Sequence, residues 1–159
     1  MDSQSVKTAN HGGIRGYDAG KRVVGRKRHL LVDTLGLVLL VVVHPENIQD
    51  RDGAKLLLRM LGQRYGWLKL IWADGGYAGK LIDWVAHLKR YRTIKLEIVK
   101  RSDETKAFKV LPKRWIVERT FGWLSKYRRL SKDYETATES SVAMIQIAMT
   151  RLMLARISK

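Results

Sequence analysis

The stretch Leu70-Ile-Trp-Ala-Asp-Gly-Gly-Tyr-Ala-Gly79 decides how the fold is read. Four apolar residues lead to one carboxylate, Asp74, and the run then breaks on Gly75 and Gly76. A short apolar run closed by glycines reads as a buried strand, because glycine interrupts a helix and permits a tight turn. Such a strand leaves Asp74 at the rim of a sheet, with little side-chain bulk on the backbone beside it. The plainer reading is a turn aspartate that caps the helix that follows.

Upstream, residues 26–33 and 37–43 read as two strands joined at Asp33-Thr-Leu-Gly36, a hairpin turn ending in glycine. Residues 37–43 are apolar at every position, which predicts a central strand covered on both faces. A helix over about 53–64 follows from Leu56, Leu57, Met60 and Leu61, with Asn47, Asp50 or Asp52 as its cap. Residues 3–20 are polar and glycine-rich, and read as a short strand and a loop. Downstream, a helix over about 79–90 turns Leu81, Ile82, Val85, Ala86 and Leu88 inward, and 94–99 is a strand. Residues 100–112 form a polar loop, and helices over about 113–130 and 138–157 close the chain. This order predicts a single α/β domain over residues 1–159, with a mixed sheet flanked by helices. Ligands in such sheets gather at the carboxyl ends of strands, where Asp74 falls.

With 31 Lys and Arg against 15 Asp and Glu, the 159-residue chain carries +16, a surplus that points to a polyanionic partner such as nucleic acid. It contains no Cys, which excludes disulfides and thiolate metal sites. No apolar run approaches a membrane span and no signal sequence is evident, so a cytoplasmic protein without membrane association is expected.

Within this basic frame three acids stand out. Asp74 is the first. The second is Glu118, in Arg114-Trp-Ile-Val-Glu-Arg-Thr-Phe-Gly-Trp-Leu-Ser-Lys-Tyr-Arg-Arg129. At 3.6 residues per turn, Arg114, Glu118, Gly122, Ser125 and Arg129 share one side, while Ile116, Val117, Phe121, Leu124 and Tyr127 pack elsewhere. A surface ion pair with Arg114 is the ordinary fate of such a glutamate. The third, Asp2, is uninformative alone. Together they matter, because clustered carboxylates repel one another unless a divalent cation lies between them. Two Mg²⁺ ions on oxygen ligands can activate an attacking oxygen and stabilise a leaving one at a phosphodiester.

Asp2-Ser-Gln-Ser-Val-Lys-Thr8, Gly25-Arg-Lys-Arg-His-Leu-Leu-Val-Asp-Thr-Leu-Gly36, Gln49-Asp-Arg-Asp-Gly-Ala-Lys55, Ala73-Asp-Gly-Gly-Tyr77, Arg114 to Leu124 and Arg128-Arg-Leu-Ser-Lys-Asp-Tyr-Glu135 lie in this order along the chain. In these stretches it resembles the DDE transposases of bacterial insertion sequences, in particular the "insertion sequence five" group. Of that group's Tyr, Arg, Glu, Lys signature, Arg114 and Glu118 are met; Leu111 takes the Tyr position and Ser125 the Lys position, beside Lys126. The resemblance implies a ribonuclease-H-like fold in which Asp2, Asp74 and Glu118 are the catalytic triad and hold two Mg²⁺ or Mn²⁺ ions. It implies metal-dependent cleavage at transposon ends and strand transfer to target DNA, with double-stranded DNA as partner. In such relatives the first Asp lies inside a central strand preceded by a DNA-binding region. A carboxyl-terminal catalytic portion is therefore expected here, its first strand truncated and an upstream DNA-binding region lacking.

The basic residues expected to contact DNA are Arg26, Lys27, Arg28, Arg114, Arg119, Lys126, Arg128 and Arg129, through phosphates rather than base edges. Trp115 and Trp123 could stack on a splayed base, but helical spacing favours the core. Asp33, Asp50 and Asp52 are read as turn and cap residues, and His29 and His44 as structural. A homo-oligomer or association with an upstream-frame protein is left open. The alternatives are a non-catalytic DNA-binding fragment that regulates transposition, and a ribonuclease-H-like nuclease that only hydrolyses.

Overall fold

A computed structural model describes residues 1–9, 13–61, 65–87, 94–99 and 115–158. The expected hairpin forms: β3 (Val23–Val32) and β4 (Val38–Pro45) pair antiparallel, with Leu30 opposite Val41. Asp33 shapes its turn, accepting hydrogen bonds from the backbone N–H of Leu35 at 2.9 Å and of Leu37 at 2.8 Å. Gly36 takes a φ of 85°, a left-handed conformation that a Cβ would disfavour.

The centre of this sheet is β3, not β4. β1 (Asp2–Lys7) lies antiparallel along one edge of β3, with Asp2 opposite Leu30, and short β2 (Gly16–Asp18) and β4 lie along the other. The apolar run in β4 suggested a central strand because both its faces are indeed covered, by α1 (Asp50–Arg59) and by α4 (Thr138–Ile157). Coverage by helices and pairing by neighbours are separate properties, and only the first leaves a mark on hydropathy.

Alternation along β3 divides the core. Leu31 faces Ala54, Leu57 and Leu58 of α1 with Leu81 and Val85 of α2 (Lys80–His87), whereas Leu30 faces Val117, Phe121 and Leu124 of α3 (Trp115–Ser125) with Ile145 and Met149 of α4. Residues 62–64, 88–90 and 113–114 of the expected helices, and the expected loop over 100–112, lie outside the described residues. The helix containing Glu118 ends at Ser125 and gives way to a 3₁₀ turn, Arg128–Leu130. Among the described residues α4 is long and apolar enough to cross a bilayer by length and composition alone; its Ile145, Ala148 and Met149 pack into the core.

The stretch around Asp74 is a strand as expected: β5 (Leu70–Ala73) pairs parallel with β6 (Lys95–Ile98), Ile71 opposite Leu96. Instead of one mixed sheet, however, the described residues form a four-stranded antiparallel sheet and this separate parallel pair. β1 reaches only to Asp2, opposite Leu30, so Leu31 and Val32 of β3 have no β1 partner on that edge. The Met1 ammonium spans the gap, donating to the Trp72 carbonyl at 2.7 Å. Beyond it, Leu31, Val32, Leu70 and Ile71 border an apolar cleft of about 150 Å³.

Candidate functional site

Asp2 opens β1. Ser3 and Ser5 donate to Asp50 and Glu46 on the α1 side, so alternation turns Asp2 toward the α3 side. Its Oδ1 accepts from the Ser3 N–H at 2.8 Å. Asp74 follows β5 directly and caps the 3₁₀ turn Gly75–Tyr77, its Oδ1 accepting from the Gly76 N–H at 2.9 Å. It is thus both a rim carboxylate and a turn cap. A side chain at Gly75 would meet no neighbour within 4 Å, so the backbone beside the acid is open.

Asp2 and Asp74 share a neighbour. Burial lowers the Met1 ammonium to a pKa of about 6, while the negative charges of Asp2 and Asp74 pull it the other way. The Tyr77 phenol is raised by burial, and both acids push it further in that direction.

Glu118 is exposed in the first turn of α3, where a carboxylate complements the helix dipole. The hairpin turn positions this helix. Thr120 Oγ1 donates to the Gly36 carbonyl at 2.7 Å, and an Arg119 Nη2–H donates to the Leu35 carbonyl at 2.8 Å. Val117, beside Glu118, lines the same cleft as Met1 and Trp72. The three segments that carry the acids therefore border one region of the fold. Even so, among the described residues no three His, Cys, Asp or Glu side chains are gathered closely enough to hold a metal ion. The donor chemistry itself, carboxylate oxygen throughout, suits a hard divalent cation, and mutual repulsion opposes closer approach of the acids without one.

The basic run of β3 is not where the sequence reading put it. Arg26, Lys27 and Arg28 are 0%, 2% and 2% exposed, out of reach of a DNA phosphate. Arg26 pairs with buried Asp133 at 3.2 Å and also donates to Ser141 and to the carbonyls of Ile14, Glu135 and Thr136. Arg28 donates to the carbonyls of Leu130 and Lys132, and burial lowers its pKa. On the opposite face Lys27 pairs with Asp50 at 3.1 Å and donates to the Ile48 carbonyl. The two arginines hold the connection between α3 and α4, taking up the carbonyls of Leu130, Lys132, Glu135 and Thr136. Asp50 and Asp52 likewise do not cap α1: Gln49 holds the N-cap position without a side-chain bond, Asp50 is taken by Lys27 and Ser3, and Asp52 pairs with Lys55.

Of the remaining basic residues, Arg114 lies outside the described residues. Arg119 is stacked over Trp115 at 4.3 Å and Trp123 at 4.6 Å. Trp115 is exposed and Trp123 half-buried, so neither is a core residue; Val117, Phe121 and Leu124 occupy the inward positions of α3. Arg129 pairs with Glu135 at 2.8 Å, while Lys126 and Arg128 are exposed. Arg151 and Arg156 of α4, which no sequence motif singled out, join Lys126 on this surface.

His29 and His44 face each other in the core with ring centroids 4.8 Å apart, and Tyr77 Oη lies 3.2 Å from His29 Nδ1. Burial, with His44 adding to it, lowers the His29 pKa to about 3. A side chain at Gly53 would strike Nε2 of both rings, which explains a glycine inside α1.

No curated protein and no solved structure matches the chain. A family model described as the transposase DDE domain matches residues 1–153, nearly the whole length, and spans all three acids. With that match over a mixed α/β fold, the chain belongs to the DDE transposase family.

Proposed function

We propose that this chain is the catalytic portion of a DDE transposase of the "insertion sequence five" group, with a ribonuclease-H-like fold over residues 1–159. Asp2, Asp74 and Glu118 are its metal ligands, and the family generally uses divalent ions. Two bound Mg²⁺ or Mn²⁺ ions would supply an activated oxygen nucleophile and stabilise the leaving oxygen at a phosphodiester. The protein's own contribution is placement. Asp74 is anchored through Gly76, Gly75 leaves room for a DNA strand, and the hairpin turn holds α3, on which Glu118 is exposed. The observation that carries the proposal is the family match over residues 1–153, together with a cleft lined by Met1, Trp72 and Val117, each within two residues of one of the three acids. The partners are double-stranded transposon ends and target DNA, in the cytoplasm. Its protein partner in this reading is a second copy of the chain or an upstream-frame protein.

The second reading, a non-catalytic DNA-binding fragment that regulates transposition, draws on the absence among the described residues of a tightly gathered set of three acids. A ribonuclease-H-like nuclease is the third. Nicking and joining of plasmid DNA in Mn²⁺ separates them. The catalytic proposal expects metal-dependent nicking that falls more than about 100-fold in Asp74→Asn and in Glu118→Gln while DNA binding persists. Nicking without joining of a supplied 3′ hydroxyl favours the nuclease. DNA binding without metal-dependent nicking favours the regulator.

A further inference from the structure

Tyr77 closes the short turn that Asp74 caps, its N–H donating to the Asp74 carbonyl at 3.2 Å. The residue is 1% exposed and belongs to the apolar cluster of Ala54, Leu57 and Leu81. Phenylalanine would fill that space equally well. A hydroxyl carried into such a cluster costs free energy unless it is bonded. This one lies 3.2 Å from His29 Nδ1, with the two rings edge to face and their centroids 6.1 Å apart.

His29 is a fixed partner. Its imidazole is wholly buried, lies against the His44 ring and leaves no room for a side chain at Gly53 beside it. It stands on β3 directly opposite Ser3 of β1, the residue after Asp2. The Ser3 hydroxyl is a further polar neighbour of the phenol and is itself held by Asp50 at 2.9 Å. The phenol therefore ties the turn that carries Asp74 to the strands that place Asp2. A second tie, from the Met1 ammonium to the Trp72 carbonyl, precedes both acids. One tie before and one after each acid fix their spacing, where a single tie would leave a hinge. Repulsion between the two carboxylates works against that spacing. Among the described residues, the β5–β6 pair shares no ladder with the sheet of β1 that would resist it.

We propose that Tyr77 is a positioning residue of the metal site: its hydroxyl, held by His29, braces the Asp74 turn against the strand of Asp2 and sets the spacing that a divalent ion bridges. Use of that spacing by a metal rests on the catalytic proposal; the brace itself does not.

The test uses the full chain and compares the parent with Tyr77→Phe and His29→Leu. Tyr77→Phe keeps the buried ring and removes only the hydroxyl, while His29→Leu removes the other end of the same bond. Without metal, the Gly76 and Ala78 amides should exchange about 10-fold faster in Tyr77→Phe, measured against the Ala148 and Met149 amides of α4, which report any global loss. In Mn²⁺ titrations followed by electron paramagnetic resonance, the dissociation constant should rise about 10-fold in either variant. The double variant should add nothing, because one bond is lost in all three. Nicking should recover at high Mn²⁺ in Tyr77→Phe but not in Asp74→Asn. A residue that only stabilises the fold would leave the Mn²⁺ affinity of the folded protein unchanged. That result in both single variants, or turn amides that exchange no faster than the α4 reference, would overturn the proposal. Mn²⁺ binding in the parent that Asp74→Asn does not weaken would instead remove the catalytic reading, and the exchange rates would still decide the brace.

Discussion

Two sets of basic residues in this chain have the same chemistry and opposite fates. Arg26, Lys27 and Arg28 lie consecutively on β3 and are buried on both faces of the sheet, bonded to carboxylates and carbonyls. Lys126, Arg151 and Arg156 are scattered in sequence and come together on the surface, against aromatic rings. Density of charge along a chain therefore does not locate a polyanion site. What separates the sets is the supply of internal acceptors. The α3–α4 connection offers Asp133 and several carbonyls to β3, whereas the ends of α3 and α4 offer only rings.

Removing a cation from each set sharpens the contrast most. Arg26→Met should destabilise the fold by about 3–5 kcal/mol in urea unfolding, since it leaves Asp133 buried without its charge partner. Lys126→Gln should stay within about 0.5 kcal/mol of the parent. Equal effects would erase the distinction.

Acid pH probes the α1 side of the sheet, where Lys27 and His29 lie. His29 has a folded pKa of about 3, below its ordinary 6.5, so between these values the unfolded chain binds a proton that the folded chain does not. Its contribution is fully present above pH 6.5 and is lost as pH falls toward 3, at about 1.4 kcal/mol per unit, or about 2 kcal/mol by pH 5. His44 is lowered in the same direction. Unfolding curves at pH 7 and pH 5 measure the loss, and His29→Gln should flatten it. On that same side Gly53→Ala should cost about 1–3 kcal/mol by overpacking the two imidazoles, although alanine is the better helix former. Thermal unfolding checks the sign; stabilisation would mean the rings have room to move.

Much of this was legible locally. The Asp33–Gly36 turn, the strand before Asp74 and the inward face of α3 follow from glycine placement and apolar period, and each is set by residues close in sequence. The centrality of β3 was not legible, because hydropathy records which faces are covered and not which edges are paired. The burial of Arg26 was hidden for a related reason: its charge partner Asp133 and most of its other acceptors lie more than a hundred residues away. Arg151 and Arg156 were missed because their meaning depends on Trp123 and Tyr127 from another helix. Of the acids, Asp74 could be placed at a strand end from its own neighbourhood, whereas Asp2 gains meaning only through the bond from Met1 to Trp72.

The central claim is that Asp74 and Glu118, distant in sequence, serve one cation. A crystal of the chain grown with Mn²⁺ and measured at the manganese absorption edge tests it directly. The account predicts an anomalous peak bonded to carboxylate oxygens of both residues, with Asp2 beside it. A fully occupied manganese bound elsewhere, with Asp74 and Glu118 still apart, would contradict it.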